Sequence, residues 1–193
     1  MRKIIFSIPV TLDGYIEGPN HELNWVAADD ELHDFATNLL RSADLLLYGR
    51  VTYELMASYW PIAPQDPQTT LSMLRFAQTL NPMRKIVFST TLNEPGWNTQ
   101  VIRSFNPDEI REMKNQDGKD ILLSGGAMIA HEFIKHGLID EYQPIIQPAI
   151  IGTGKALFGD VPNMLRLDFQ WSRRFTSGAV ALCYRSTGKV SIT

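Results

Sequence analysis

Short, unbroken apolar runs recur along the first two thirds of the chain. Asp44-Leu45-Leu46-Leu47-Tyr48, Lys85-Ile86-Val87-Phe88 and Asp120-Ile121-Leu122-Leu123 each hold apolar residues at consecutive positions, and Ile4 to Val10 is a fourth run. Consecutive rather than alternating apolar positions mark strands covered on both faces, as in a parallel sheet. Parallel neighbours need crossover connections, and the segments between the runs carry helical spacing. Over Asp29 to Arg41, Leu32, Phe35, Ala36, Leu39 and Leu40 recur at three and four and form one apolar stripe. Asn106-Pro107-Asp108-Glu109 predicts a helix start, with Asn as N-cap, Pro in the first turn and Glu at the capping-box position. A further helix follows Gly126, its stripe formed by Ile129, Phe133 and Ile134, and Gly137 ends it. The proline cluster Pro61 to Pro67 predicts a surface loop.

The last third changes character. Glu141 to Ile151 predicts a long strand, and Leu165–Phe175 with Ala179–Ser186 predicts an antiparallel hairpin around Ser177-Gly178. The expected fold is a single α/β domain over residues 1–193, a mostly parallel sheet with helices on both faces and an antiparallel hairpin at the end.

Composition narrows the partners. The 193 residues are 44% hydrophobic and 20% charged, which is globular rather than disordered. Eighteen basic against 21 acidic residues leave a net charge of −3, with no basic block, so nucleic acid is not expected. The apolar run near the N-terminus is cut by Thr11-Leu12-Asp13-Gly14, and no stretch has the roughly 18 apolar residues a membrane span needs. One cysteine, Cys183, excludes an internal disulfide and any multi-cysteine zinc site. It reads as a small buried strand residue, and the expected compartment is the cytoplasm.

Two strand–turn–helix junctions carry the candidate chemistry. One strand runs into Gly49-Arg50-Val51-Thr52-Tyr53-Glu54, another into Gly125-Gly126-Ala127-Met128. Ligands of open α/β sheets bind beyond the carboxyl ends of the strands. A helix opening there presents free N–H groups and partial positive charge to a phosphate. Glycine lets the phosphate approach without a Cβ in the way. Two junctions suit the two halves of a dinucleotide, Arg50 adds a forked cation, and Ser89, Thr90 and Thr91 bring hydroxyls to the same edge. A glycine after a strand can also simply turn the chain.

Other motifs lead elsewhere. His131-Glu132-x-x-x-His136 spaces its histidines five apart, about 500° around a helix, so they share no face for zinc. Gly152-Thr153-Gly154-Lys155 is followed by Ala156 where a P-loop needs Ser or Thr. No metal is expected.

Gly49-Arg50-x-Thr52-Tyr53-Glu54, Phe88-Ser89-Thr90-Thr91-Leu92, and Gly125-Gly126 leading to His136-Gly137-Leu138-Ile139-Asp140-Glu141 resemble the dihydrofolate reductase fold. Thr11-Leu12-Asp13-Gly14 and Pro148-x-x-x-Gly152-x-Gly154-x-x-Leu157-Phe158 more closely resemble the reductase domain of the riboflavin-biosynthesis deaminase–reductase, as a stand-alone single-domain member. The resemblance implies an NADPH-dependent reductase acting on a C=N or C=O of a pteridine- or aminopyrimidine-like molecule. It implies Gly49, Arg50 and Thr52 at the cofactor phosphates, and Ser89, Thr90 and Thr91 near the adenosine end. Gly125 and Gly126 would be joined by a cis peptide, with Ala127 and Met128 at the diphosphate and Pro9, Val10 and Ile16 beside the nicotinamide. Thr11 and Asp13, in a mobile segment over the site, and Asp30 would meet the substrate. No catalytic residue is singled out, and a homodimer is expected.

Two family features are absent. Pro9 and Val10 stand where the riboflavin enzymes carry a lysine before Leu-Asp-Gly, and Gln65–Thr70 lacks a base for a substrate phosphate. The alternative is therefore a non-catalytic NADPH- or ligand-binding protein that keeps the fold.

Overall fold

The computed structural model describes residues 1–159 and 164–190. In chain order the elements are β1 (Ile4–Thr11), β2 (Tyr15–Glu17), α1 (Asp30–Arg41), β3 (Ala43–Gly49), α2 (Arg50–Tyr59), α3 (Leu71–Leu80), β4 (Arg84–Phe88) and β5 (Thr99–Ile102). They continue with α4 (Pro107–Asn115), β6 (Asp120–Leu123), α5 (Ala127–Lys135), β7 (Glu141–Gln147), β8 (Lys155–Ala156), β9 (Met164–Arg174) and β10 (Val180–Val190). Eight strands form one sheet in the order β5-β4-β3-β6-β1-β7-β10-β9, and β2 pairs with β8. The first six of that order are mutually parallel, and β10 and β9 close the sheet antiparallel.

The consecutive apolar residues divide between two cores because side chains alternate across a strand. Leu45, Leu47, Ile121, Leu123, Ile4 and Phe6 pack beneath α4 and α5, against Ile110, Ile129 and Phe133. Leu46, Tyr48, Leu122, Val87 and Ile5 pack on the opposite face, against Leu40, Tyr53, Phe76 and Leu80 of α1, α2 and α3. A third cluster joins Leu32 of α1 to Ile145, Phe175, Ala179 and Ala181 at the antiparallel end.

Local signals act as their chemistry requires. Asp29 caps α1, its carboxylate accepting from Leu32 N at 2.7 Å. Asn106 caps α4 through Asp108 N at 3.0 Å and also meets Glu109 Oε1. Gly137 ends α5 with φ +63°, and Gly178 turns the β9–β10 hairpin with φ +88°. Cys183 is buried on β10.

Three expectations change and two elements are new. The strand from Glu141 stops at Gln147, because Pro148 has no N–H to continue the ladder. The Pro61–Pro67 loop contains a 3-10 turn over Ala63–Gln65, and Ala63 is fully buried. Helix α3 and strand β5 enter without having been foreseen. No peptide bond among the described residues is cis, so Gly125–Gly126 is trans, the ordinary form for a bond not preceding proline.

The C-terminus of α3 is closed by a buried cation. Lys85 has no exposed surface, and its ammonium donates to the carbonyls of Leu80, Asn81 and Met83 at 3.0, 3.2 and 2.7 Å. The Trp97 ring lies 4.1 Å from the same nitrogen. Cations are favoured where helix carbonyls are left unpaired.

Candidate cofactor site

The carboxyl ends of β4, β3, β6, β1 and β7 lie side by side in that order. The residues singled out from the sequence therefore assemble along one edge of the sheet. Phe88 pairs with Gly49, so Ser89 leaves β4 beside the start of α2. Leu47 pairs with Leu123, and Ser124 N donates to Leu47 O at 3.0 Å, which places Gly125 next to Gly49.

These two junctions touch. A Cβ on Gly125 would lie 2.7 Å from Gly49 N and 2.9 Å from Ile129 Cγ2, so only glycine fits. A Cβ on Gly126 would meet Thr52 Oγ1 at 3.6 Å, so the Thr52 hydroxyl sits between the two turns. The helices that open here differ from the other three. Helices α1, α3 and α4 have side-chain N-caps in Asp29, Thr70 and Asn106. Helices α2 and α5 start from Gly49 and Gly126 with no side-chain cap and no acidic residue in the first turn. Two adjacent helix starts thus leave their amide groups and partial positive charge to an outside anion.

Around this pair, Arg50 is exposed and donates to Glu54 Oε2 at 2.8 Å, an i,i+4 surface pair. Met128 is exposed and Ala127 is buried, so Ala127 can offer only its backbone. Ser89 Oγ accepts from Thr91 N and Leu92 N at 3.2 and 3.0 Å and shapes the turn, while Thr90 and Thr91 are exposed. Arg103 was not foreseen. It leaves β5 and donates to Ser89 O at 3.1 Å, bringing a second guanidinium to this corner. Its signal was hidden because β5 itself is too short and half-exposed to be recognised. A cavity of about 510 Å³ lies on the other flank of α2, lined by Tyr53, Glu54, Leu92 and Trp97 among others, and includes neither glycine turn.

The far half of the edge lies over β1 and β7. Val10 and Ile16 pack into the core with Ala127 and Ile129, and Pro9 is half-buried. Thr11 and Asp13 form a clamp. Thr11 Oγ1 donates to Asp13 Oδ1 at 2.6 Å and accepts from Tyr15 N at 2.9 Å. Gly152 N and Ile151 N donate to Asp13 Oδ2 at 2.7 and 3.2 Å. The Thr11 hydroxyl, with those two amides, holds the Asp13 carboxyl below its ordinary value. Asp13 thus ties the turn after β1 to the turn after β7. Gly154 completes this contact at φ +154°, where a Cβ would strike Glu17 O at 2.2 Å.

Asp30 is engaged as well. Its Oδ1 accepts from Thr70 Oγ1 at 3.0 Å and from Ser72 Oγ, at the start of α3. The Ser72 and Thr70 hydroxyls hold its carboxyl low, so it is a carboxylate acceptor at neutral pH. Neighbouring Glu31 pairs with Arg173 at 3.0 Å and accepts from Thr176 N. His131 Nε2 lies 2.9 Å from Leu157 O, and no group of three or more potential metal ligands occurs among the described residues.

Residues 2–181 match the family model described as the RibD C-terminal domain. The chain belongs to that family. An uncharacterized protein of Bacillus subtilis, YyaP, is 37% identical over 187 residues, covering 97% of this chain and 96% of its own. A putative riboflavin biosynthesis protein from Shewanella superposes with a TM-score of 0.75 at 21% identity, covering 97% of this chain and 100% of that one. Dihydrofolate reductase from Enterococcus faecalis, solved with NADP(H), superposes with a TM-score of 0.62 at 12% identity over 96% and 97% of the two chains. The fold is therefore dihydrofolate reductase-like, and the family is one of reductase domains. No helix among the described residues is long and apolar enough to cross a membrane.

Proposed function

We propose that this RibD C-terminal domain protein is an NADPH-dependent reductase of a pteridine- or aminopyrimidine-like heterocycle. The carrying observation is the pair of touching glycine turns, Gly49 and Gly125-Gly126, at two helix starts that the protein leaves uncapped. A diphosphate suits two adjacent uncapped helix starts in charge. The amides of α2 and α5 and the Thr52 hydroxyl hold it, Arg50 pairs with phosphate oxygens, and Ser89, Thr90, Thr91 and Arg103 surround the adenosine end. The Arg103 guanidinium at that end supports a 2′-phosphate and hence NADPH over NADH.

NADPH held by these residues would supply the hydride for reduction of a C=N or C=O. The chain's own contribution is to orient the acceptor over the ends of β1 and β7 and to exclude water through the Asp13-clamped turns. Asp13 and Asp30 both accept hydrogen bonds from within the chain, so neither is assigned as the proton donor. That same engagement favours the second reading, a protein that binds NADPH and ligand without turnover.

Thermal unfolding with NADPH and NADH tests the proposal. A ligand at 100 times its Kd adds about 2.7 kcal/mol, or about 5–11 °C for this length. NADPH raises the melting temperature in this range and NADH does so less. No shift with either overturns the proposal. Loss of reduced-nicotinamide absorbance with a pteridine or aminopyrimidine separates reductase from binding protein. The proposed partner is a second copy of the chain, supported by exposed Phe169 and Trp171 on the edge strand β9, and sedimentation tests it.

A further inference from the structure

The cavity of about 510 Å³ beside α2 plays no part in the cofactor reading, since neither Gly49 nor Gly125-Gly126 lines it. One wall is a stripe of α2, where Glu54, Ala57 and Ser58 stand at i, i+3 and i+4 and share a face. The other wall is the segment from Leu92 to Trp97, between β4 and β5. Glu54, Ser58, Glu94 and Gly96 are exposed, so the groove opens to solvent. Its size suits a small organic ligand.

The chain holds both walls in place. The Tyr53 hydroxyl reaches from α2 to the facing segment and donates to Gly96 O at 3.0 Å. Leu92 N donates to Ser89 Oγ at 3.0 Å. The Trp97 indole donates to Asn81 Oδ1 at 3.0 Å, which fixes a ring whose backbone has φ +57°, uncommon for a bulky residue.

The polar side-chain groups left over are acceptors. The donors of Tyr53 and Trp97 are spent on the bonds above, and Ser58 Oγ donates to Leu55 O at 2.8 Å. No lysine, arginine or histidine lines the groove. Glu54 gives Oε2 to Arg50 and keeps Oε1 open. Glu94 has both oxygens open, with no partner for its carboxylate among the described residues. Lys85 Nζ already lies 4.1 Å from the Trp97 ring, so an incoming charge belongs on the carboxylates and the ring serves as an apolar wall. A carboxylate with two open oxygens matches the parallel N–H donors of a forked cation.

We propose that this groove binds an organic cation of the amidinium or guanidinium class carried on a small apolar body. The fork sits on Glu94 with Glu54 Oε1 beside it, and the body packs against Ala57, Leu92 and Trp97. The site is separate from the cofactor edge and does not rest on the reductase reading.

The test titrates benzamidine into the whole protein and follows amide and indole resonances, with benzyl alcohol and benzoate as neutral and anionic counterparts. Benzamidine binds saturably in the millimolar range and moves the signals of Ala57, Glu94, Gly96 and the Trp97 indole. Benzyl alcohol binds more weakly, and benzoate does not bind. Glu94→Gln weakens benzamidine on the order of fivefold. Glu112→Gln, the same charge change at an exposed position of α4 across the sheet, leaves it unchanged. Both carboxylates are exposed, and unfolding curves establish that the variants are folded. Added salt weakens the wild-type complex, and saturating NADPH leaves benzamidine bound. Equal binding of the three probes, or binding of none, overturns the proposal. An equal loss in the two variants, or no loss in either, does the same. Displacement of benzamidine by NADPH makes the groove part of the cofactor site and also overturns it. A protein that binds benzamidine at these residues and binds no NADPH refutes the reductase reading alone.

Discussion

Gly125 can have no Cβ because Gly49 N occupies the space, 2.7 Å from where that atom would stand. The contact joins two glycines 76 residues apart in the chain, and both the stability of the sheet edge and the shape of the proposed phosphate site depend on it.

Gly125→Ala pushes backbone against backbone, which cannot give way as a flexible side chain can. The expected loss is about 1–3 kcal/mol of stability, with NADPH affinity falling at least about tenfold. Gly49→Ala has its nearest contact at Ile129 Cγ2, 3.4 Å away, with Gly126 N at 3.9 Å, and is milder on both counts. Denaturant unfolding and cofactor fluorescence titration check the ranking, and equal effects at the two positions contradict it.

Arg50 and Glu54 are both about half exposed, so their ion pair adds little to folding, about 0.3–0.5 kcal/mol. Arg50→Ala therefore leaves the melting temperature nearly unchanged and weakens NADPH binding, most at low salt. Glu54→Gln releases Arg50 and leaves NADPH affinity equal or higher. Titrations at two ionic strengths decide this.

Burial pushes Lys85 down to about 8 from its ordinary 10.5. Below pH 8 both folded and unfolded chains hold the proton, and the cost of burying the charge is present in full. Between 8 and 10.5 the unfolded chain keeps a proton that the folded chain has released, so this group's contribution to stability rises with pH. Wild type should gain on Lys85→Met by up to about 3 kcal/mol across that window. Urea midpoints at pH 7, 9 and 10 check the direction; a difference between the two proteins that does not change with pH refutes it.

The Asp13 carboxyl, held low by the Thr11 hydroxyl and the amides of Gly152 and Ile151, keeps its clamp above the ordinary carboxylate range and loses it as the pH falls below that range. Asp13→Ala should speed amide exchange at Ile151 and Gly152 while the global unfolding curve barely moves. Unchanged exchange at those two amides in the variant sinks the clamp.

The doubly buried strands were legible because burial on two faces leaves no polar position to confuse the pattern: Leu45 to Tyr48 supplies both cores by turns. Asn106 and Gly137 were legible because capping is local chemistry. Strand β5 was not, since Thr99-Gln100-Val101-Ile102 is a four-residue edge strand carrying only two apolar residues. Helix α3 was missed because its start lies in Thr70, just past a proline-rich turn that dominates the local pattern. Both glycine junctions were placed correctly from their position after strands, but their contact is a tertiary fact that no spacing encodes.

The strand order also dictates when this fold can form. The first strand of the sheet pairs Ile4 with Ile121 and Ile5 with Glu141, so its neighbours are among the later elements to be synthesised. Contacts this distant slow folding, because a long loop must close before any pairing compensates it. A ribosome extending this chain carries Ile4, Ile5 and Phe6 without their sheet partners for more than a hundred residues. During that interval the nascent chain is a substrate for chaperones, and a pause in translation before Glu141 prolongs its exposure to aggregation.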